Sequence, residues 1–415
     1  MTRDDKIDCD VLVVGAGPAG LSAAIELRAR GVQRVVVVER EAQAGGVPRH
    51  CHHTGFGLRD LHRSLAGPRY ADELCRRATA SGVRILTGTT ITSLENNGDA
   101  RATNASGLHV ITSRAVLLAS GARERPRSAR LVAGDRPPGV FTTGQLQQWV
   151  NVKNLPVGSR ALVIGAEHVS FSAMLTLRHA HVRTVALVTD LENQQSVASY
   201  AFAARMLFGV PVWTRTRVIA INGHERVREV VLEDVATRKR RVEAVDVVVF
   251  SGDWIPDNEL ARRVGVEIDP GTLGPASDVG GRTSVASIYA AGNLVHPVET
   301  ADVAALRARE VARVLAEDLK RGPSSSLFEQ IALRVEAPLL WVWPNRVERA
   351  APVSRLALRA KAFSESRLLV ARQAGEEIAR ERVGKVVPNR ALSVEGAFLA
   401  AADLGRGPVT LSLGA

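Results

Sequence analysis

Asp10-Val-Leu-Val-Val-Gly-Ala-Gly-Pro-Ala-Gly20, followed after an amphipathic stretch to Arg30 by Arg34-Val-Val-Val-Val-Glu39, fixes the fold class of this chain. Two short runs of β-branched residues flank a helical stretch, which is the pattern of two buried parallel strands joined by a crossover helix. Gly15 permits a tight turn, Gly17 allows backbone to approach a diphosphate, and Gly20 lets helix and strand pack closely. The diphosphate would rest on the helix N-terminus at Pro18 and Ala19, where unpaired N–H groups favour an anion. Glu39 lies 24 residues beyond Gly15. That spacing suits hydrogen bonds to a ribose 2′-hydroxyl, so the motif predicts an adenine dinucleotide without a 2′-phosphate.

The chain has 415 residues, enough for two or three separately cored domains. A hydrophobic share of 46% and a charged share of 23% are those of an ordinary globular protein. No apolar run is long enough to span a bilayer, and the N-terminal decapeptide lacks an apolar signal core, which predicts a cytoplasmic protein. The net charge of +11 is carried mainly by scattered arginines, with one short basic run at 238–241, and aromatic residues make up 4%. Stacking platforms for nucleic acid are therefore scarce. The positive field suits anionic cofactors, acidic substrates or an acidic partner subunit instead. Cys9, Cys51 and Cys75 form neither a CxxC pair nor a metal-ligand pattern, which argues against a disulfide framework.

Beyond the first unit, the spacing predicts a helix over 69–81 and strands over 83–86, 89–94, 108–112 and 115–119. A second strand–turn–helix unit starts at Arg160-Ala-Leu-Val-Ile-Gly165, with a helix over 168–180 and a strand over 184–188. Strand-rich sequence runs from Val210 to Phe250, a helix is expected from about Thr300 to Lys320, and Gly-Pro-Ser-Ser-Ser at 322–326 reads as a linker. Short strands are expected in the last stretch of chain. The fold class predicted is α/β, with two Rossmann-like domains, the second inserted in the first, and a small β-rich C-terminal domain. The boundaries are 1–122 with 286–321, 123–285, and 327–415.

The landmarks Gly15-Ala-Gly-Pro-Ala-Gly20, Glu39, Leu118-Ala-Ser-Gly-Ala122, Gly252 to Pro256 and Ile288-Tyr-Ala-Ala-Gly-Asn293 occur in one order. In this the chain resembles the two-dinucleotide-binding-domain flavoproteins, the superfamily of thioredoxin reductase and the pyridine nucleotide-disulfide oxidoreductases. Within it, the chain is similar to the FAD subunits of opine oxidases, hydrogen cyanide synthase and amine or proline dehydrogenases. The stretch Gly45 to Gly57 is also similar to oxidoreductases encoded with anaerobic glycerol-3-phosphate dehydrogenases. The resemblance implies FAD as the first dinucleotide. Gly15, Gly17, Pro18, Ala19 and Gly20 would hold its diphosphate, and Glu39 and Arg40 its adenosine half. Gly45, Gly46 and Val47 would run beside the ring and ribityl chain, and Ser120 and Gly121 would border the adenosine. Gly292 and Asn293 would meet the ribityl region, with Asn293 where the family usually has Asp. Thr300 and Ala301 would open a helix aimed at the flavin.

Two features depart from that family pattern. The second glycine motif reads Gly165-Ala-Glu-His-Val-Ser170, with Glu167 and Ser170 in place of glycines. A carboxylate in a turn that should meet a diphosphate adds bulk and like charge, so the second domain is expected to keep its fold without ordinary NAD(P) binding. The alternative is a tolerated turn with weak NAD(H) binding. The redox dithiol of disulfide reductases is also absent.

Arg49-His50-Cys51-His52-His53 follows the Gly-Gly turn. Adjacent side chains diverge, so a metal site is disfavoured. In one reading, His50, His52 or His53 acts as base for a donor and Arg49 binds an anion. In the other, these residues only hold FAD phosphates and loop backbone. His168 and His296 are further candidates. The expected activity is FAD-dependent transfer of a hydride from a small hydroxy or amino compound, with electrons passed to a partner subunit or acceptor. An NAD(P)H-dependent flavoprotein reductase and a non-catalytic FAD-binding subunit of a hetero-oligomeric dehydrogenase remain the alternatives.

Overall fold

The β-branched runs form the central strands, as their pattern dictates. A computed structural model of the chain describes residues 5–321, 330–348, 355–366 and 368–414. Asp5–Val14 lies between Val35–Val38 and Gly107–Leu118, parallel to both, and Arg84–Leu86 and Ile288–Ala290 extend the parallel part. Ala100–Asn104 and Thr90–Leu94 add an antiparallel edge. Side chains alternate across this sheet. Val11, Val13, Val35 and Val37 enter one core, while Leu12, Val14, Val36 and Val38 enter the other. Both faces are covered, which is why these strands read as unbroken apolar runs.

One face carries helices α1 (Pro18–Ala29) and α2 (Gly67–Ala80), with the last helix, α7 (Ala301–Arg321), beside α1. Ala23 and Ala24 of α1 share a core with Ala308, Ala312 and Ala316 of α7, and such small side chains let helix backbones approach. The strands expected separately at 108–112 and 115–119 are one twelve-residue strand, Gly107–Leu118. Arg114, which punctuates the apolar pattern, sends its guanidinium to Leu319 O at 2.7 Å and leaves the strand unbroken.

Packing divides the described residues into two units: His50–Thr54 with Arg123–Ile255, and the rest. The expected boundary near residue 285 is therefore corrected to 255/256. Residues following Pro256 include α6 (Glu259–Arg263), and Ala261, Val264 and Val266 join the same core as Ile7, Leu12 and Ile288. The second unit has a parallel sheet in the order Val140–Thr142, Val247–Phe250, Arg160–Ile164, Arg183–Val188, Val212–Trp213. Helices α3 (Thr143–Gln147), α4 (His168–His179) and α5 (Ala198–Phe208) accompany it. The strand-rich sequence beyond Val210 supplies an antiparallel layer, Thr216–Gly223, Val227–Asp234 and Arg240–Ala244.

The C-terminal strands form a β-rich module with its own core around Leu333, Leu356, Leu358 and Leu411. The 322–326 stretch expected as a linker lies outside the described residues. In the strand Leu339–Trp343, Leu339 and Val342 enter the module's core, whereas Trp341 and Trp343 enter the core beneath the first sheet. A register shift between Leu339 and Trp341 accompanies this change of face. That strand is buried on both sides, and the module belongs to the first unit.

Candidate functional site

The first glycine turn has two kinds of glycine. Gly15 has φ of +106°, and a Cβ there would stand 2.5 Å from Ala119 O. A Cβ on Gly20 would stand 1.9 Å from Gly15 O. Both are demanded by the chain's own packing. Gly17 is different. Its φ of −79° suits any residue, and a Cβ would meet nothing nearer than Gly46 Cα at 4.0 Å. That glycine keeps open a cradle at the start of α1, where no side chain caps the helix and no acid occupies the first turn. An anionic diphosphate fits this arrangement of open space and unpaired N–H groups.

Glu39 is buried, and its two oxygens accept from Ala16 N and Glu41 N, each at 2.9 Å. The carboxylate is thereby fixed against the glycine turn, with lone pairs left for hydroxyl donors. Arg40 is exposed and pairs with Asp257 at 3.2 Å. Asp257 also braces the 120–121 turn: Ser120 Oγ donates to its carbonyl at 2.8 Å, and its N–H donates to Gly121 O at 2.9 Å. Gly45 N donates to Ala16 O at 2.8 Å, and a Cβ on Gly46 would stand 2.8 Å from Gly17 Cα, so the two glycine turns are mutually packed. Val47 is exposed beside them. Arg49 donates to Glu41 at 2.5 Å and to Gln43 O at 3.0 Å, which braces the 41–49 loop.

Just after the strand Ile288–Ala290, Gly292 has φ of +72°, and a Cβ there would reach Ala19 Cβ at 2.6 Å. Asn293 is turned inward to its own loop, donating to Glu299 O at 3.2 Å and accepting from Glu299 N at 2.8 Å. Thr300 precedes α7, whose first residue is Ala301. Its hydroxyl donates to Asp302, whose other oxygen accepts from Arg59 N at 3.2 Å. Buried Asp302 thus already faces the positive end of α7, and this offsets the dipole expected to act on a flavin.

The imidazole-rich segment packs within the second unit. Asn151 donates to His50 O at 2.6 Å, and His53 Nδ1 lies 3.0 Å from Thr54 O. His52 is exposed with its ring 6.3 Å from that of His179. Its pKa is lowered by partial burial and by His179, favouring the neutral ring. Cys51 donates to Gln147 Oε1 at 3.3 Å, and burial, helped by Glu124, pushes its thiol up to about 12. Such a thiol is a poor nucleophile at neutral pH. Among the described residues no group of three or more His, Cys, Asp or Glu could hold a metal.

In the second glycine turn, Glu167 precedes α4 and folds its carboxylate toward Gly165 and Gly252. A Cβ built on Gly165 would meet Glu167 Oε2 at 2.8 Å, and one on Gly252 would meet the same carboxyl group at 3.3 Å. Ser251 donates to Glu167 Oε1. The second turn thus holds a carboxylate of its own, engaged by Ser251, where the first turn has Gly17 and open space. His168, the first residue of α4, stands edge-on to Tyr200 of α5 with ring centroids 5.4 Å apart. Glu124, not singled out from sequence, is buried and accepts from Gly144 N at 2.8 Å and Thr143 N at 3.2 Å. Burial outweighs these donors and pushes its pKa up to about 7, with Glu167 adding to the rise. Ser251 and Glu124 are remote in sequence from Glu167, and no local pattern marks them.

A model of pyridine nucleotide-disulphide oxidoreductases matches residues 9–308. The chain belongs to that family, one of FAD-dependent oxidoreductases. It is 27% identical over 337 residues to an opine oxidase subunit of Agrobacterium tumefaciens (strain Ach5), covering 74% of this chain and 64% of that protein. It is 27% identical over 298 residues to thioredoxin reductase of Treponema pallidum (strain Nichols), covering 70% of this chain and 90% of that one. The crystal structure of T. acidophilum thioredoxin reductase superposes with a TM-score of 0.65 at 20% identity, over 75% of this chain and 98% of that one, which establishes the shared fold. The chain spans about three-fifths of the length of the opine oxidase subunits it matches. Among the described residues Cys9, Cys51 and Cys75 form no disulfide.

The two kinds of glycine separate experimentally. Gly20→Ala should lose at least about 2 kcal/mol of stability by urea unfolding, since backbone must move to admit the methyl. Gly17→Ala should stay within about 1 kcal/mol of wild type yet bind FAD about tenfold or more weakly by fluorescence titration. Glu124 gives a pH test. Its folded pKa of about 7 exceeds the ordinary 4.5, so the folded state holds the proton more tightly, and stability falls as pH rises through that window. Glu124→Gln should therefore be the more stable protein at pH 8, by up to about 3 kcal/mol, with the advantage vanishing near pH 4.5.

Proposed function

We propose that this chain is an FAD-dependent dehydrogenase or oxidase that accepts a hydride from a small hydroxy or amino compound and passes electrons to a partner subunit or acceptor. The observation that carries the reading is Glu167 folded into the second glycine turn against Ser251, which leaves a nicotinamide dinucleotide without its diphosphate cradle. The reductant then has to be a donor that needs no such cradle. Buried thiols at Cys9 and Cys51, both pushed up to about 12 mainly by burial, argue against a dithiol acceptor.

Bound FAD supplies a hydride-accepting ring. Gly15, Gly17, Pro18, Ala19 and Gly20 would hold its diphosphate. Glu39, Arg40, Ser120 and Gly121 would hold the adenosine half, and Gly45, Gly46, Val47, Gly292, Asn293, Thr300 and Ala301 the ribityl and ring end. Oxidation of an alcohol or amine also releases an O–H or N–H proton. His52, neutral at physiological pH through its partial burial and the nearby His179, is the base assigned to it. His50 and His53 flank it, Asn151 holds the segment through His50 O, and Arg49 braces the preceding loop through Glu41. The thiols without a disulfide suit a reducing, cytoplasmic setting.

A second reading, a non-catalytic FAD subunit of a hetero-oligomer, draws on the relatives named as subunits and on exposed Phe202, Met206 and Leu207 of α5. Anaerobic mixing decides between them. Small hydroxy or amino acids should bleach the flavin band near ~450 nm while NADH leaves it unchanged. Faster bleaching by NADH than by any such donor overturns the proposal, and bleaching by neither favours the subunit reading. Glu167→Gly should raise NADH affinity tenfold or more by equilibrium titration, and an unchanged affinity would show that Glu167 is not the obstacle.

A further inference from the structure

Arg359 lies in the strand Arg355–Ala360 of the C-terminal module and is 6% exposed. A guanidinium buried so deeply needs partners for its charge. Its two terminal nitrogens find them on the loop before α7 and in its own module: Arg359 donates to Val298 O, pairs with Glu299 at 3.4 Å, and donates to Asn389 O, while its Nε has no partner among the described residues. Glu299 is the residue whose backbone holds both ends of the Asn293 amide. One arginine of the module therefore grips the residue that fixes Asn293.

The same loop carries His296, a candidate from the sequence, which is 1% exposed. Its ring lies 5.1 Å from Trp341 and 5.1 Å from Trp343, both on the strand beside that of Arg359. Arg307 of α7 lies 2.5 Å from His296 Nε2 and 4.8 Å over Trp343, while Arg359 lies 5.7 Å over Trp341. Burial, then Arg307 and Arg359, hold the imidazole pKa well below its usual value. A neutral ring accepting from Arg307 and enclosed by two indoles packs the loop against the module. Loop 293–300 is thus held from one side by α7 and from the other by the module.

We propose that the C-terminal β module is a clamp on loop 293–300, with Arg359 as the positioning residue that sets FAD affinity. The proposal rests on the FAD reading above. Without Arg359 the Glu299 carboxylate is left in a mostly buried place without its cation, the loop shifts toward water, and Asn293 loses its fixed orientation.

The test is FAD affinity and release rate, followed by flavin fluorescence on the full chain, with far-UV circular dichroism as a check of folding. Arg359→Gln should raise the FAD dissociation constant tenfold or more and blur the vibrational shoulder of the bound flavin band. Arg359→Lys, which keeps a cation opposite Glu299, should recover part of the loss. Glu299→Gln should move affinity the same way by a smaller factor, and it decides the matter alone if Arg359→Gln does not fold. Arg380→Gln, at an exposed pair with Glu377 in the same module, should stay within twofold. Affinity within twofold of wild type for folded Arg359→Gln or Glu299→Gln overturns the clamp, even if thermal stability falls. Failure of the wild-type chain itself to take up FAD overturns the cofactor reading, and the clamp with it.

Discussion

The contact between Gly20 and the carbonyl of Gly15 is the constraint on which the first unit depends. A single methyl there would collide with backbone at 1.9 Å, so strand and helix can meet only through a residue without a side chain. That closeness sets α1 on the sheet, brings Ala19 against Gly292, and lets Gly46 press on Gly17. Three segments distant in sequence thus converge at the start of one helix. Gly17 alone remains unexplained by internal packing, and an anion is what gives it a reason.

The second unit repeats the strand, turn and helix but fills the turn from within. Glu167 takes the space, Ser251 holds it, and the neighbouring Glu124 is driven toward its protonated form by burial beside another carboxylate. A Rossmann-like sheet needs only its apolar strands and covering helices to fold. The nucleotide is a separate requirement, satisfied by a few turn residues, and those can change without disturbing the sheet. This explains how two such sheets can be alike while their glycine turns differ.

The terminal module shows a third use of burial. Its own apolar core makes it a β-rich body, yet Trp341, Trp343 and Arg359 are committed to the first sheet and its site loop rather than to that core. Long side chains with an apolar body and a polar tip are suited to that role, because they fill space and still satisfy carbonyls at their ends. The same packing encloses His296 between the two indoles.

The sequence by itself determined the two α/β units, the parallel strands and the open first cradle, because apolar period and glycine spacing are local properties. It also exposed the defect at Glu167 and Ser170, since a missing glycine is visible where it should stand. Only the tertiary structure decided that residues 256–285 join the first unit, that Arg49 braces its own loop, that Asp302 occupies the end of α7, and that His296 is enclosed by indoles. Those outcomes depend on which distant side chain reaches a given polar group once water is excluded, and chain-local pattern carries no record of that partner.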